Sequence, residues 1–244
     1  ILGITGDIGR DEAEEVMEAY FGDWPACPRD LGKVEPLRVR EEPGVLLVHR
    51  DLEQSTIVMG QAGRVLRTDP DAFTASQLAS WILGGGGFSS RLMQRLRTEE
   101  GLAYSAWSVW GAGTEHERLF GVFTQTRAEA TAQAIDAMGE VIETMRREPP
   151  AEDELRLGIE NTVNGFVFAF EHPADIVARQ MGYLAAGLPE DWLERYIEDV
   201  QQLTPEAVHE IMTERIRPET FSAVVVGDTT RFELPSRLRA RIIP

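Results

Sequence analysis

The sequence predicts an α+β chain, on three observations. Its strand-like segments fall in neighbouring pairs, at residues 44–60 and 103–126, with a further one at 221–226. Between the second pair and that last strand runs a series of segments with helical periodicity, residues 128–216. Hydrophobic residues make up 43% of the 244 positions and charged residues 27%, a globular balance in a chain long enough to bury a core.

The elements follow in order. Ile1–Asp7 is a short apolar run ending in a Gly-Asp turn. A helix follows, with Ala13, Val16, Met17, Tyr20 and Phe21 at helical spacing. Asp11 is expected to cap it and Gly22 to close it in a left-handed conformation. Four prolines between Trp24 and Gly44 (Pro25, Pro28, Pro36, Pro43) read as a linker. Strands are expected at Gly44–His49 and Ser55–Gly60. A helix is expected from Asp69 to Leu83, started by Asp69-Pro70 and stopped by the four glycines Gly84, Gly85, Gly86 and Gly87. A second helix runs from Ser89 or Ser90 to Glu100, ended by Gly101. Strands Ala103–Trp110 and Arg118–Thr126 flank a turn with Gly111 and Gly113. Helices are expected at Ala128–Arg147, Ala151–Phe170, Pro173–Ala186, Asp191–Val200 and Pro205–Ile216, the last started by Thr204-Pro205-Glu206. The strand Phe221–Val226 ends in Gly227-Asp228, as Ile1–Asp7 ends in Gly6-Asp7. Read as a repeat, each would be a strand that closes a unit. The chain opens on Ile and is expected to be a portion of a longer or processed polypeptide.

Composition excludes several functions. The net charge is −17, from 41 acidic and 24 basic residues, a surface that repels phosphate backbones, so no nucleic-acid partner is expected. Apolar runs such as Val45–Val48 and Ala223–Val226 fall far short of the roughly 20 residues a membrane helix needs. Cys27 is the single cysteine, which rules out an internal disulfide and a thiolate metal cluster and leaves cytoplasm and periplasm both open. Lys33 is the only lysine, a bias that fits genomic base composition.

The four histidines, His49, His116, His172 and His209, have no histidine partner at three to five residues, so no zinc motif is present. His116 and His209 stand among glutamates and read as solvated surface groups. No Gly-x-Ser-x-Gly elbow occurs, and Ser89-Ser90 read as helix caps. The Gly84–Gly87 run lacks a following Gly-Lys-Ser/Thr and follows a helix, which argues against a nucleotide loop. It either terminates the helix or lets an extended peptide approach the backbone closely. The sharpest constellation is Arg97 in the last turn of one helix and Tyr104 on the strand that leaves it. That corner can bring a guanidinium and a phenol to one side of a cleft. An arginine on the helix dipole and a half-buried strand tyrosine would account for the same residues.

The Gly84–Arg91 and Arg97–Tyr104 runs, the helical segments Ala178–Met181 and Thr204–Glu206, and Val224–Asp228 together resemble the pitrilysin/insulinase clan of zinc peptidases, family M16. The likeness is greatest to its short bacterial and mitochondrial-processing-peptidase-like branch and covers about Ile1 to Thr229. It implies a LuxS/MPP-like metallohydrolase fold, a mostly antiparallel sheet with helices packed on one face, in units that come in pairs. It implies further that residues 1–24 are the closing strand and helix of a preceding unit, 25–42 the interdomain linker, 43–229 the zinc-free C-terminal unit and 230–244 a tail. In such pairs the other unit holds the zinc and a glutamate base. This one contributes an Arg and a Tyr seven residues apart, here Arg97 and Tyr104, to peptide binding and transition-state stabilisation, with Gly84–Gly87 admitting substrate.

The chain departs from the family pattern in lacking His-x-x-Glu-His. No cofactor is expected in it, and zinc is expected in a complementary domain in cis or a partner chain in trans, within a homo- or heterodimer. The expected partner is a peptide or unfolded polypeptide, and the chain alone is expected to be inactive. The alternative is a zinc-free auxiliary or structural subunit of a hetero-oligomeric complex. The resemblance suggests bacterial cytoplasm or periplasm without choosing between them.

Overall fold

The computed structural model describes residues 1–25 and 40–243. Cys27, Pro28, Lys33 and Pro36, and with them most of the linker read from sequence, lie outside the described residues.

Six strands form one mixed sheet: β1 (Gly44–His49), β2 (Gln54–Ala62), β3 (Ala103–Ala112), β4 (Glu117–Arg127), β5 (Ser222–Gly227) and β6 (Ala240–Ile243), in the order β3-β4-β2-β5-β1-β6. The ladders β3–β4, β4–β2 and β2–β5 are antiparallel; β5–β1 and β1–β6 are parallel. The sheet is thus mostly antiparallel, as expected, with a parallel edge that sequence reading did not foresee. Val45, Leu47, Ile57, Met59, Phe120, Val122, Ala223 and Val225 alternate onto the buried face. Against it pack α2 (Pro70–Ser80), α4 (Thr131–Arg147) and α8 (Pro205–Arg215), through residues such as Leu78, Met138, Ile142, Val208 and Met212. The remaining helices are α1 (Arg10–Phe21), α3 (Arg91–Met93), α5 (Glu152–Phe166), α6 (Pro173–Ala185) and α7 (Trp192–Gln201).

Two of the caps read from local chemistry are present, whereas Ser90 takes the N-cap position of α3 without a capping bond from its side chain. Asp69 accepts from the Ala72 amide and Thr204 from the Ala207 amide, each with proline next in the chain. The N-terminal segment departs from expectation. Ile1–Asp7 forms no strand, because no described strand lies beside it to supply a ladder. Helix α1 starts two residues earlier than read, on an extended Gly9, so Asp11 lies in the first turn and does not cap. Gly22 is right-handed (φ −60°), because its N–H still bonds Glu18 in the helical pattern. Of the apolar positions on α1 only Ala13 is buried; Tyr20 and Phe21 are exposed, as is Trp24 just beyond the helix. The C-terminal stretch, read as a tail, adds β6 beside β1.

Candidate functional site

The glycine run does not stop helix α2. The helix widens into a π-helical turn, Trp81–Gly85, whose marker is the Gly86 N–H bonding the carbonyl of Trp81 five residues back, at 2.8 Å. Gly84 lies inside that turn, buried against β3: a Cβ there would meet the Ser108 amide and come within 2.7 Å of the Trp107 carbonyl carbon. The helix and the strand can approach so closely only at a glycine. The chain reverses at Gly87, which is left-handed (φ +58°). Ser89 and Ser90 then donate to the carbonyls of Gly86 and Gly87 at 2.8 and 2.7 Å, and the Gln94 amide nitrogen donates to the Phe88 carbonyl at 2.7 Å. These bonds fix a lip on which Gly85, Gly87 and Phe88 are exposed.

The helix that follows, α3, also widens, as a π-helical stretch over Gln94–Glu99 that carries Arg97. Left-handed Gly101 (φ +59°) ends it, with the Leu102 N–H bonding the Leu96 carbonyl at 2.7 Å. The strand that leaves, β3, is bulged at once. Ala103 pairs with Thr126 and Ala106 with Thr124, so Tyr104 and Ser105 together oppose Gln125. Two buried threonines pin the bulge: Thr124 donates to the Ser105 carbonyl at 2.9 Å and Thr126 to the Leu102 carbonyl at 2.8 Å. As a result Tyr104 and Ser105 both face outward, and Tyr104 is 81% exposed. The half-buried strand tyrosine of the bland reading is not what forms.

Arg97 and Tyr104 do meet. The guanidinium packs 4.6 Å from the centre of the Tyr104 ring and, through Nη1, donates to the Tyr104 carbonyl at 3.2 Å. It also packs 4.6 Å from the ring of Phe88, a residue sequence reading passed over; an exposed aromatic directly after a glycine run was the available signal. Among the described residues Arg97 has no carboxylate partner, so most of its N–H donors remain available to an acceptor. Farther along β3, Trp107 stacks on Phe123 at 4.0 Å and 8°. Beneath the site Arg91 holds Glu154 with two hydrogen bonds of 2.8 and 2.6 Å. Burial alone would raise the Glu154 carboxyl, but Arg91 and the Ala151 N–H outweigh it and hold the group below its ordinary value.

No zinc site fits these residues. Among the described residues no group of three or more His, Cys, Asp or Glu side chains is placed to hold a metal. His49 Nδ1 faces Thr229, and half-buried His209 donates through Nε2 to the Arg146 carbonyl at 2.9 Å. His116 is half-buried as well, so neither it nor His209 is the solvated surface group expected. Among the described residues no helix is long and apolar enough to cross a membrane.

A family model described as the peptidase M16 inactive domain matches residues 1–161. The chain belongs to that family. An uncharacterized zinc protease of Mycobacterium tuberculosis is 25% identical to this M16 chain over 252 aligned positions, covering 99% of this chain and 55% of that protein. An uncharacterized zinc protease of Streptomyces coelicolor is 28% identical over 184 positions, 73% of this chain and 39% of that protein. The crystal structure of a peptidase M16 inactive domain from Pseudomonas fluorescens superposes with a TM-score of 0.81 at 27% identity, over 93% of this chain and 53% of that one. The periplasmic protease PqqL from Escherichia coli superposes with a TM-score of 0.74 at 14% identity, over 92% of this chain and 25% of that one, a likeness of fold alone. The M16 chain spans about half the length of the curated relatives it matches.

Proposed function

We propose that this M16 inactive domain is the substrate-holding half of a zinc peptidase whose metal and glutamate base lie in a complementary domain, in cis or in trans. The observation that carries the reading is the pairing of Arg97 with an exposed Tyr104 on a bulged edge strand, with no carboxylate to satisfy the guanidinium. An arginine in that state is a donor fork for peptide carbonyls. A phenol beside it can donate to the oxyanion that forms when a carbonyl is attacked. Gly85, Gly86, Gly87 and Phe88 form the lip beside the pair, where a backbone can pass without meeting a side chain at the glycines. Apolar residues left uncovered at the end of the N-terminal helix and just beyond it, Tyr20, Phe21 and Trp24, are a surface for the complementary domain to cover. The zinc would activate water on that other domain, and this chain would bind, orient and stabilise charge.

The test is peptide cleavage by the full assembly, with the complementary domain present. Tyr104→Phe is expected to lower kcat roughly 100-fold, as for loss of one oxyanion donor. Arg97→Met is expected to raise KM with a smaller change in kcat. Cleavage unchanged in both variants overturns the assignment.

A further inference from the structure

At the opposite end of α2 from the glycine run, about 15 Å away by the helical rise, lies a second arginine in an aromatic setting. Arg67 sits in the connection between β2 and α2. Its own N–H bonds the Gly113 carbonyl at 2.7 Å, and Asp69, two residues on, caps the helix, so the backbone is fixed on both sides. Its guanidinium packs 5.4 Å from the Phe73 ring and 5.8 Å from the Trp192 ring. Trp192 in turn stacks on Tyr196 at 5.4 Å and 6°, and Tyr183 packs on Trp192 at 5.0 Å. Burial holds the Tyr196 phenol above its usual range, with the Arg67 charge opposing the shift.

Arg67 has no carboxylate partner among the described residues, and its Nε is buried with no acceptor. In a chain with 41 acidic residues that is a costly arrangement to leave unmet. Two cavities adjoin at it. One, of about 470 Å³, is lined by Arg67, Arg179 and the aromatic rings and by no carboxylate. The other, of about 340 Å³, has Glu198 and Asp199 in its wall, with Arg195 already paired to Asp191 at 2.7 Å. An anion therefore has a favourable place only in the first. Its size is in the range of small-ligand sites, and its aromatic walls suit an apolar body.

We propose that the larger cavity binds a ligand carrying one carboxylate on an aromatic or apolar body, the carboxylate on Arg67 with Arg179 at the mouth and the body against the Trp192–Tyr196 stack. A free acid and the C-terminus of a peptide present the same chemistry.

The probes are N-acetylphenylalanine, its neutral amide, and a short peptide ending in Phe with a free carboxylate. Each is titrated into the chain while the indole N–H resonance of Trp192, assigned with Trp192→Phe, is followed by NMR. The acid is expected to give a saturable shift at roughly millimolar affinity and the amide to bind at least about tenfold more weakly. Arg67→Met should abolish the shift, Arg179→Met should weaken binding several-fold, and Arg97→Met should leave it unchanged. A peptide that binds more tightly than the acid identifies a polypeptide C-terminus as the ligand; equal binding identifies a free small acid. Equal binding of acid and amide, or no saturable shift up to roughly 10 mM acid, overturns the proposal. The acid–amide comparison needs no variant, so it decides even if Arg67→Met fails to fold.

Discussion

The Arg97 guanidinium lies as close to the Phe88 ring as to the Tyr104 ring, 4.6 Å from each centre, although Phe88 and Tyr104 come from different elements. Phe88 belongs to the lip after the glycine run and Tyr104 to the bulge of β3. The arginine therefore joins the two parts of the site.

Phe88→Leu removes one of these cation–π contacts, worth about 0.5–1 kcal/mol at an exposed position. The expected outcome is a 2–5-fold loss of kcat/KM in the full assembly, with Phe88→Tyr close to the parent. Phe88 is 63% exposed, so the denaturation midpoint of the chain should not move. A large stability change would show that the ring supports the fold.

Gly84 and Gly85 are neighbours in sequence with opposite tolerance. An added Cβ at Gly84 meets the β3 backbone, whereas at Gly85 the nearest atom is at 3.5 Å, ordinary contact. Gly84→Ala is expected to destabilise by about 1–3 kcal/mol, and Gly85→Ala to stay within about 0.5 kcal/mol. Urea denaturation of the two variants side by side checks this.

Gly101 has open space around it but a left-handed backbone. Gly101→Ala is expected to cost about 1–2 kcal/mol and Gly101→Asn less, since Asn tolerates that conformation. Equal costs for the two would show that the left-handed backbone does not set the penalty at this corner.

The Arg91–Glu154 pair gives a pH signature. Because the folded-state carboxyl is held below its ordinary value, the contribution is fully present above the unfolded-state value of 4.5 and is lost as pH falls through the depressed folded value. Glu154→Gln is expected to cost about 1–2 kcal/mol at pH 7, the group being part-exposed, and to cost little in strong acid. Denaturation curves at neutral and acid pH, for parent and variant, measure the difference.

What the sequence disclosed was what short-range chemistry decides. Asp69-Pro70 and Thr204-Pro205 mark helix starts because cap and first turn are local, and the Arg97–Tyr104 spacing survives because one glycine turn joins them. The rest depends on contacts distant in sequence. The bulge that exposes Tyr104 is held by Thr124 and Thr126, some twenty residues on. The π-helical turn at Trp81–Gly85 is seated against β3 at Ser108. Strand β6 is a short, exposed edge with no alternation to betray it, and Arg67 acquires its aromatic walls only when α7 docks on α2.

The place of β1 in the sheet has a consequence for the order of assembly. Strands β2, β3 and β4 make a contiguous antiparallel unit from neighbouring sequence, but both partners of β1 come from the far end of the chain, Gly44 aligning with Ser222. During synthesis β1 emerges first and must wait for about 180 further residues before it can pair, a closure that long-range topology makes slow. Until then its run of Val45, Leu46, Leu47 and Val48 has no ladder. An apolar run left unpaired for that long is an aggregation-prone edge in the nascent chain.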